Sequence, residues 1–160
     1  MPFEALDAAR HDRGDFDCGV DALNLYLRQY ANQDQKRSLT RVYVLSTGAT
    51  VIGYYSLSSH SVPRDNLPHG IKMGGYGDIP FLLLGRLAVD KHYQGQGYGD
   101  ALIMDAFRRT RDVAQQVGVF GMIVEAKDDM AARFYEGFGF KRLSSSAQRL
   151  VLPMTAINPL

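Results

Sequence analysis

The feature that most constrains this chain is a switch in pattern near its middle. Leu82-Leu83-Leu84-Gly85-Arg86-Leu87-Ala88-Val89-Asp90 is an apolar run with Arg86 as its interior charge. Directly after it comes Lys91-His92-Tyr93-Gln94-Gly95-Gln96-Gly97-Tyr98-Gly99-Asp100, with glycine at alternate positions. The first part reads as a buried strand, the second as a tight loop that opens a helix. Glycines let the backbone turn closely with no side chains in the way. Several amide N–H groups then face one concavity, at the positive end of a helix dipole. Such a place binds phosphate.

The spacing narrows the ligand. A dinucleotide-binding G-x-G-x-x-G needs glycine at position 100, where Asp100 stands, and G-x-x-x-x-G-K-[ST] is absent. Gln94-x-x-Gly97-x-Gly99 after an apolar strand resembles the [RQ]-x-x-G-x-[GA] hallmark of the GNAT acetyl-CoA-dependent N-acetyltransferases. The resemblance implies that Gln94, Gly95, Gln96, Gly97, Tyr98 and Gly99 hold the pyrophosphate of acetyl-CoA. It also implies that Leu87, Ala88 and Val89 bond the pantetheine arm. A bulge near Gly85 would part this strand from the next and open the cleft.

Pattern predicts the remaining elements. Pro2–Leu6 is a short strand, Arg10–Gly19 a loop, and Val20–Asn32 a helix with Leu23, Leu27, Tyr30 and Ala31 at helical spacing. Gln33–Thr40 is a polar loop. Arg41–Leu45 and Val51–Leu57, the latter extending toward Val62, make an antiparallel pair around the turn Ser46–Thr50. Pro63–Ile79 is a loop or broken helix, either shaping substrate access or a plain surface excursion. The central strand is Pro80–Val89. A helix spans Tyr98–Val117 with Ile103, Ala106, Phe107, Thr110, Ala114 and Val117 inward, and Asp100, Asp105, Arg108, Arg109, Arg111 and Asp112 mostly outward. Val119–Glu125 is a strand, and a short helix capped by Asp128 or Asp129 runs to Glu136. Arg149–Met154 is the last strand. Strands alternating with helices indicate an α/β fold. The resemblance implies a GNAT fold with a mixed sheet of six or seven strands. A length of 160 residues suits a single domain.

Composition excludes several classes. No apolar run approaches the roughly 20 residues of a membrane span, and no secretory signal opens the chain. A cytoplasmic location follows as the expectation. Cys18 is the single cysteine, so an internal disulfide is ruled out; it reads as a small half-buried residue. His11, His60, His69 and His92 show no metal-ligand spacing. A net charge of +1 does not advertise nucleic-acid binding, although it can hide a basic face.

Ala131-Ala132-Arg133-Phe134-Tyr135-Glu136-Gly137-Phe138-Gly139-Phe140 resembles the family segment A-x-x-F-Y-x-x-x-G-F, whose tyrosine lies near the coenzyme sulfur. That implies Tyr135 as general acid; a phenol keeps its proton at neutral pH. The alternative is a packing tyrosine, yet Phe134 reads as the core residue and Tyr135 points about 100° away. Glu125 is a candidate base, though an α-amine near pKa 7.7–8.0 is already partly neutral.

Phe16-Asp17-Cys18-Gly19, Gly53-Tyr54-Tyr55-Ser56-Leu57 and Leu84–Asp90 resemble the TacT-type acetyltransferase toxins of bacterial toxin–antitoxin modules. That resemblance implies aminoacyl-tRNA as acceptor and a ribbon-helix-helix antitoxin as partner, and it leaves a homodimer open. Lys36, Arg37 and Arg41, Lys91 and His92, and Arg133, Lys141 and Arg142 make a candidate basic rim for a phosphate backbone, or a scatter of solubilising charge. Arg86, inside an apolar strand, needs either a structural ion pair or a ligand. Two other readings stand beside the toxin: a GNAT enzyme acting on a protein N-terminus or small amine, and a non-catalytic acyl-CoA-binding partner protein.

Overall fold

The computed structural model describes residues 3–68, 77–143, 146 and 148–157. The strands are β1 (Phe3–Ala5), β2 (Arg41–Thr47), β3 (Thr50–Pro63), β4 (Asp78–Val89), β5 (Gly121–Glu125), β6 (Lys141–Arg142) and β7 (Arg149–Pro153). They form a seven-stranded mixed sheet in the order β1-β2-β3-β4-β5-β7-β6. The helices are α1 (Asp21–Leu25), α2 (Ala31–Lys36), α3 (Tyr98–Ala114), α4 (Asp129–Glu136) and α5 (Met154–Ile157). The expected α/β architecture and strand count hold. The chain divides into two compact units, residues 1–58 with 85–106, and residues 59–84 with 107–160. The unit boundary in β4 falls between Leu84 and Gly85.

In the first unit, β2 and β3 form the expected hairpin, with Tyr43 opposite Tyr55 and Val44 opposite Tyr54. Alternation sends neighbouring side chains of β3 to opposite faces. Tyr54 enters a core with Phe16, Tyr26, Leu27, Ala31, Val44 and Ala88. On the other face, a Cβ at Gly53 would stand 3.1 Å from a Leu102 methyl of α3 and 3.2 Å from the Ala88 carbonyl. Tyr55 shares that face, and its hydroxyl donates to Asp105 Oδ2 at 2.5 Å. Asp105 is therefore buried, contrary to the outward position expected of it. The helical period was right; a tyrosine hydroxyl made burial of the carboxylate affordable.

The predicted helix Val20–Asn32 is longer and interrupted. A π-helical turn, Tyr26–Tyr30, separates α1 from α2, and helix continues to Lys36. The wider turn brings Tyr26, Leu27 and Ala31 inward together, all buried. Gln35 closes α2 onto the sheet: its Nε2 donates to Leu6 O at 3.0 Å and its Oε1 accepts from Val42 N at 3.0 Å.

In the second unit, β4 pairs in parallel with β5 from Phe81 to Leu84. Antiparallel β7 runs alongside β5, with Gly121 opposite Pro153. No side chain fits at Gly121, where a Cβ would run into the Leu152 carbonyl. Val62, Ile79, Phe81, Ile123, Leu143 and Val151 fill the core. Val117 lies past the end of α3 and is exposed, so the inner stripe stops short of it. Of the predicted loop Pro63–Ile79, Pro63 closes β3, Arg64–Asn66 is a 3-10 turn and Asp78 opens β4, while positions 69–76 lie outside the described residues.

Candidate active site

Strand, tight loop and helix follow one another here as the sequence pattern predicts. After β4, Lys91–Tyr93 makes one 3-10 turn, and α3 opens at Tyr98. Gly95 and Gly97 have φ of +78° and +87°. Other residues adopt that region at a cost of roughly 1–2 kcal/mol. A Cβ at either position would meet nothing within 4 Å, so the space beside both glycines is open. The Gly97 carbonyl accepts from Ala101 N at 3.1 Å, the first bond of α3. The amides of Gln94–Gly99 therefore lie at the helix end where an anion is favoured. The rings of Tyr93 and Tyr98 meet edge to face beside the loop, with centroids 6.1 Å apart.

Gln94, expected among the cofactor-binding residues, uses its side chain internally. Its Nε2 donates to Val89 O at 2.9 Å and to Cys18 O at 3.0 Å. It fastens the loop to the end of β4 and to the segment before α1.

A second fastening was not read from the sequence. Asp90, buried, accepts from His92 N at 2.9 Å through Oδ1 and from Asp17 N at 3.0 Å through Oδ2. Lys91 N donates to Asp17 O at 2.8 Å, and Lys91 Nζ pairs with Asp17 Oδ2 at 3.1 Å. Asp17 Oδ1 accepts from Gly19 N and Asn24 Nδ2. The local half, an aspartate bonding the amide two residues on, is a standard turn signal. The partner 73 residues away in sequence carries no such signal.

The Asp17 carboxyl is held down at about 2, chiefly by the Gly19 amide, then by Lys91 and Asn24. Burial alone would raise the Asp90 carboxyl, but the amides of His92 and Asp17 outweigh it and leave it lowered. A lowered carboxyl contributes stability above its unfolded value near 3.9 and loses it as pH falls toward the folded value. Denaturant midpoints should thus drop between about pH 4 and about pH 2, and Asp17→Asn should flatten that drop. An Asp17→Asn profile as steep as that of the unaltered protein would remove Asp17 from the account.

In the second unit, Asp128 caps α4 by accepting from Ala131 N at 2.8 Å. Tyr135 shares the inner face of α4 with Ala132. Its ring packs edge to face against Phe134 at 5.3 Å and Phe140 at 5.7 Å. Phe134 was expected as the core residue of this helix, but Tyr135 is the more deeply buried of the two: Tyr135 is 7% exposed and Phe134 only half-buried. Among the described residues its hydroxyl has no hydrogen-bond partner, yet it is not sealed from solvent as Thr110 Oγ1 is. Burial of the ring pushes the phenol up to about 12. The result is a fixed, neutral hydroxyl that keeps its proton.

The candidate basic rim is only partly free. Lys91 is paired with Asp17, and His92 Nδ1 lies 2.8 Å from Asp90 Oδ1. Arg133 pairs with Asp129, and Arg142 with Asp129 and Glu136 at 3.0 Å each. Lys36, Arg37, Arg41 and Lys141 are exposed and have no carboxylate partner among the described residues. Glu125, the candidate base, is paired with Arg149 at 3.1 Å. Arg86 has no ion pair among the described residues; its guanidinium carbon lies 3.5 Å from the centre of the Tyr26 ring.

Residues 38–142 match the family model for the acetyltransferase (GNAT) domain. The chain belongs to the GNAT acetyltransferase family. Within that family it is 33% identical to the probable toxin TacT of Sinorhizobium fredii, over 98% of this chain and 93% of the relative. Among solved structures it is similar to AtaT complexed with acetyl-methionyl-tRNAfMet, with 33% identity, a TM-score of 0.90 and coverage of 99% and 97%. It is also similar to a tyrosine-to-phenylalanine mutant of the AtaT toxin bound to acetyl-CoA and the C-terminus of the antitoxin AtaR. That match has 31% identity, a TM-score of 0.85 and coverage of 99% and 96%. Like other GNAT acetyltransferases the chain is an enzyme that uses acetyl-CoA. No helix among its described residues is long and apolar enough to cross a membrane.

Proposed function

We propose that this protein is a toxin that acetylates the amino group of the amino acid carried by a charged tRNA, and so blocks translation. The observation that carries the reading is the loop Gln94–Gly99 at the start of α3, whose two left-handed glycines border open space that can admit a diphosphate. The residues fit the group: a Cβ at Gly95 or Gly97 would stand in that space. When bound, acetyl-CoA supplies an acetyl group activated as a thioester.

Each residue then has a stated task. The loop amides take the negative charge, and Gln94 holds them in place. The ladder of β4 with β5 ends at Leu84, so Leu87, Ala88 and Val89 have backbone groups to offer the pantetheine arm. In the transfer a carbon–nitrogen bond forms, a carbon–sulfur bond breaks, the amine loses a proton and the sulfur gains one. Tyr135 Oη serves both ends. A phenol near 12 yields its proton to a thiolate near 8.5 only uphill, by about 5 kcal/mol. The hydroxyl therefore gives up its own hydrogen as it receives that of the amine. No side-chain base is needed, since an α-amine near 7.7–8.0 is already partly neutral at pH 7.

The relatives support the acceptor: AtaT was solved with acetyl-methionyl-tRNAfMet. The paired cations do not oppose it, because exposed ion pairs are worth about 0–1 kcal/mol and yield to phosphate. Both compact units act as one catalytic domain in this reading, and the family match runs through both. A ribbon-helix-helix antitoxin as neutralising partner and a cytoplasmic location complete it; AtaT bound to the antitoxin AtaR is the supporting neighbour. The test is incubation of the protein with labelled acetyl-CoA and a pool of aminoacyl-tRNAs. Label on the aminoacyl moiety is expected; label only on peptides or small amines overturns the acceptor.

A further inference from the structure

Arg86 is the residue of the first unit that the cofactor does not account for. Strand alternation puts it on the same face of β4 as Ala88. Ala88 packs in the core that holds Tyr26 and Tyr54, the face opposite Gly53 and α3. Whatever Arg86 binds is therefore on the other face from the helix whose N-terminus takes the diphosphate. The π-helical turn that begins at Tyr26 brings this ring inward, beneath the guanidinium. The ring is fixed at both ends: it stacks on Tyr54 with centroids 6.5 Å apart, and its hydroxyl donates to Asp34 Oδ2 at 2.9 Å.

Stacking occupies the flat face of a guanidinium and leaves its N–H groups, which lie in the plane, free. Arg86 is half-buried, and among the described residues none of those N–H groups has an acceptor. Tyr26 offers no negative charge either. Burial, then the bond to Asp34, push its phenol up to about 12, so it stays neutral. Those N–H groups are not sealed from solvent as Thr110 Oγ1 is, so a guanidinium held by its stack with its fork unpaired is open to an anion, and the anion it fits in two-pronged fashion is a carboxylate or a phosphate. Resting on the aminoacyl-tRNA reading above, the acceptor carries the second of these and no free carboxylate, since that carboxyl is esterified.

We propose that Arg86, stacked on Tyr26, binds the terminal phosphodiester of the aminoacyl-tRNA and is a specificity-determining residue. It selects an amine attached to a nucleic-acid end over a free amino acid or a peptide. One strand step separates it from Leu87, so the phosphate it holds brings the esterified amino acid to the segment that positions the thioester.

The experiment compares two acceptors. One is aminoacyl-tRNA; the other is the same amino acid esterified to adenosine, which lacks the phosphodiester. With Arg86→Met, kcat/KM should fall about ten- to a hundredfold on aminoacyl-tRNA, and less than about threefold on the adenosine ester. Arg86→Lys keeps the charge but loses the fork and most of the stacking, and should fall between. Tyr26→Leu, which keeps Arg86, should show the same acceptor-dependent loss in smaller measure. Equal losses on both acceptors, or a weakened Kd for acetyl-CoA in Arg86→Lys, overturn the proposal. The unaltered protein failing on aminoacyl-tRNA while acetylating another amine instead overturns the acceptor reading on which it rests.

Discussion

Tyr135→Phe is expected to slow acetyl transfer by about 10²–10⁴-fold while the Kd for acetyl-CoA changes by less than about twofold. The change is nearly free of structural side effects. The ring keeps its edge-to-face contacts with Phe134 and Phe140. The hydroxyl has no hydrogen-bond partner among the described residues, so no buried group is stranded when it goes. Thermal stability should accordingly stay the same or rise slightly. The pH profile adds an independent check. With its phenol near 12, Tyr135 does not titrate across neutral pH, and the donor form is present throughout. The rate should rise as the acceptor amine loses its proton, near its own pKa, and then level off. Single-turnover acetylation and equilibrium binding measure the two parts. Equal turnover in the variant would leave Tyr135 a packing residue, and a falling limb between pH 8 and pH 10, on the order of a protein thiol's range, would point to a different proton donor.

Local chemistry made much of this legible. The alternate glycines and the apolar strand before them announced the loop, because a turn with left-handed φ at Gly95 and Gly97 favours residues without side chains. An aspartate cap for α4, Asp128 or Asp129, followed from residue type alone, and the structure selects Asp128. What escaped were pairings between residues distant in sequence. Nothing in Phe16-Asp17-Cys18-Gly19 announces that Asp17 will brace Asp90 and Lys91, or that the Cys18 carbonyl will receive Gln94. Asp105 looked solvated since its burial depends on a tyrosine fifty positions earlier. The interruption of the first helix is of the same kind: the periodicity around Tyr26 is adequate for an α-helix, and packing against β3 and β4 chooses the wider turn. For Tyr135 the angle from Phe134 was right, but helix α4 buries the face centred on Ala132 and Tyr135, about 100° round from Phe134. The basic residues were correctly placed on the surface, yet sequence spacing could not say which would meet a carboxylate first.

Gly97→Val should weaken acetyl-CoA binding by about ten- to a hundredfold and leave the rate at saturating cofactor within a fewfold of normal. Two costs combine there. Valine at φ +87° is strained, being both β-branched and left-handed. Its side chain would also stand in the open space where nothing lies within 4 Å of the Cβ, the space that a diphosphate needs in this reading. Strain alone can be separated from obstruction with Gly48→Val in the β2–β3 hairpin. Gly48 also has a left-handed φ, +59°, and an open Cβ position, but it is remote in sequence from the loop and belongs to a turn. That variant should lose stability and keep its Kd for acetyl-CoA. The contrast with Tyr135→Phe is the informative part: one substitution acts on affinity and spares the chemical step, the other does the reverse. If Gly97→Val binds acetyl-CoA as tightly as the unaltered protein, the diphosphate is held somewhere other than the amides of Gln94–Gly99, and the reading built on them falls with it.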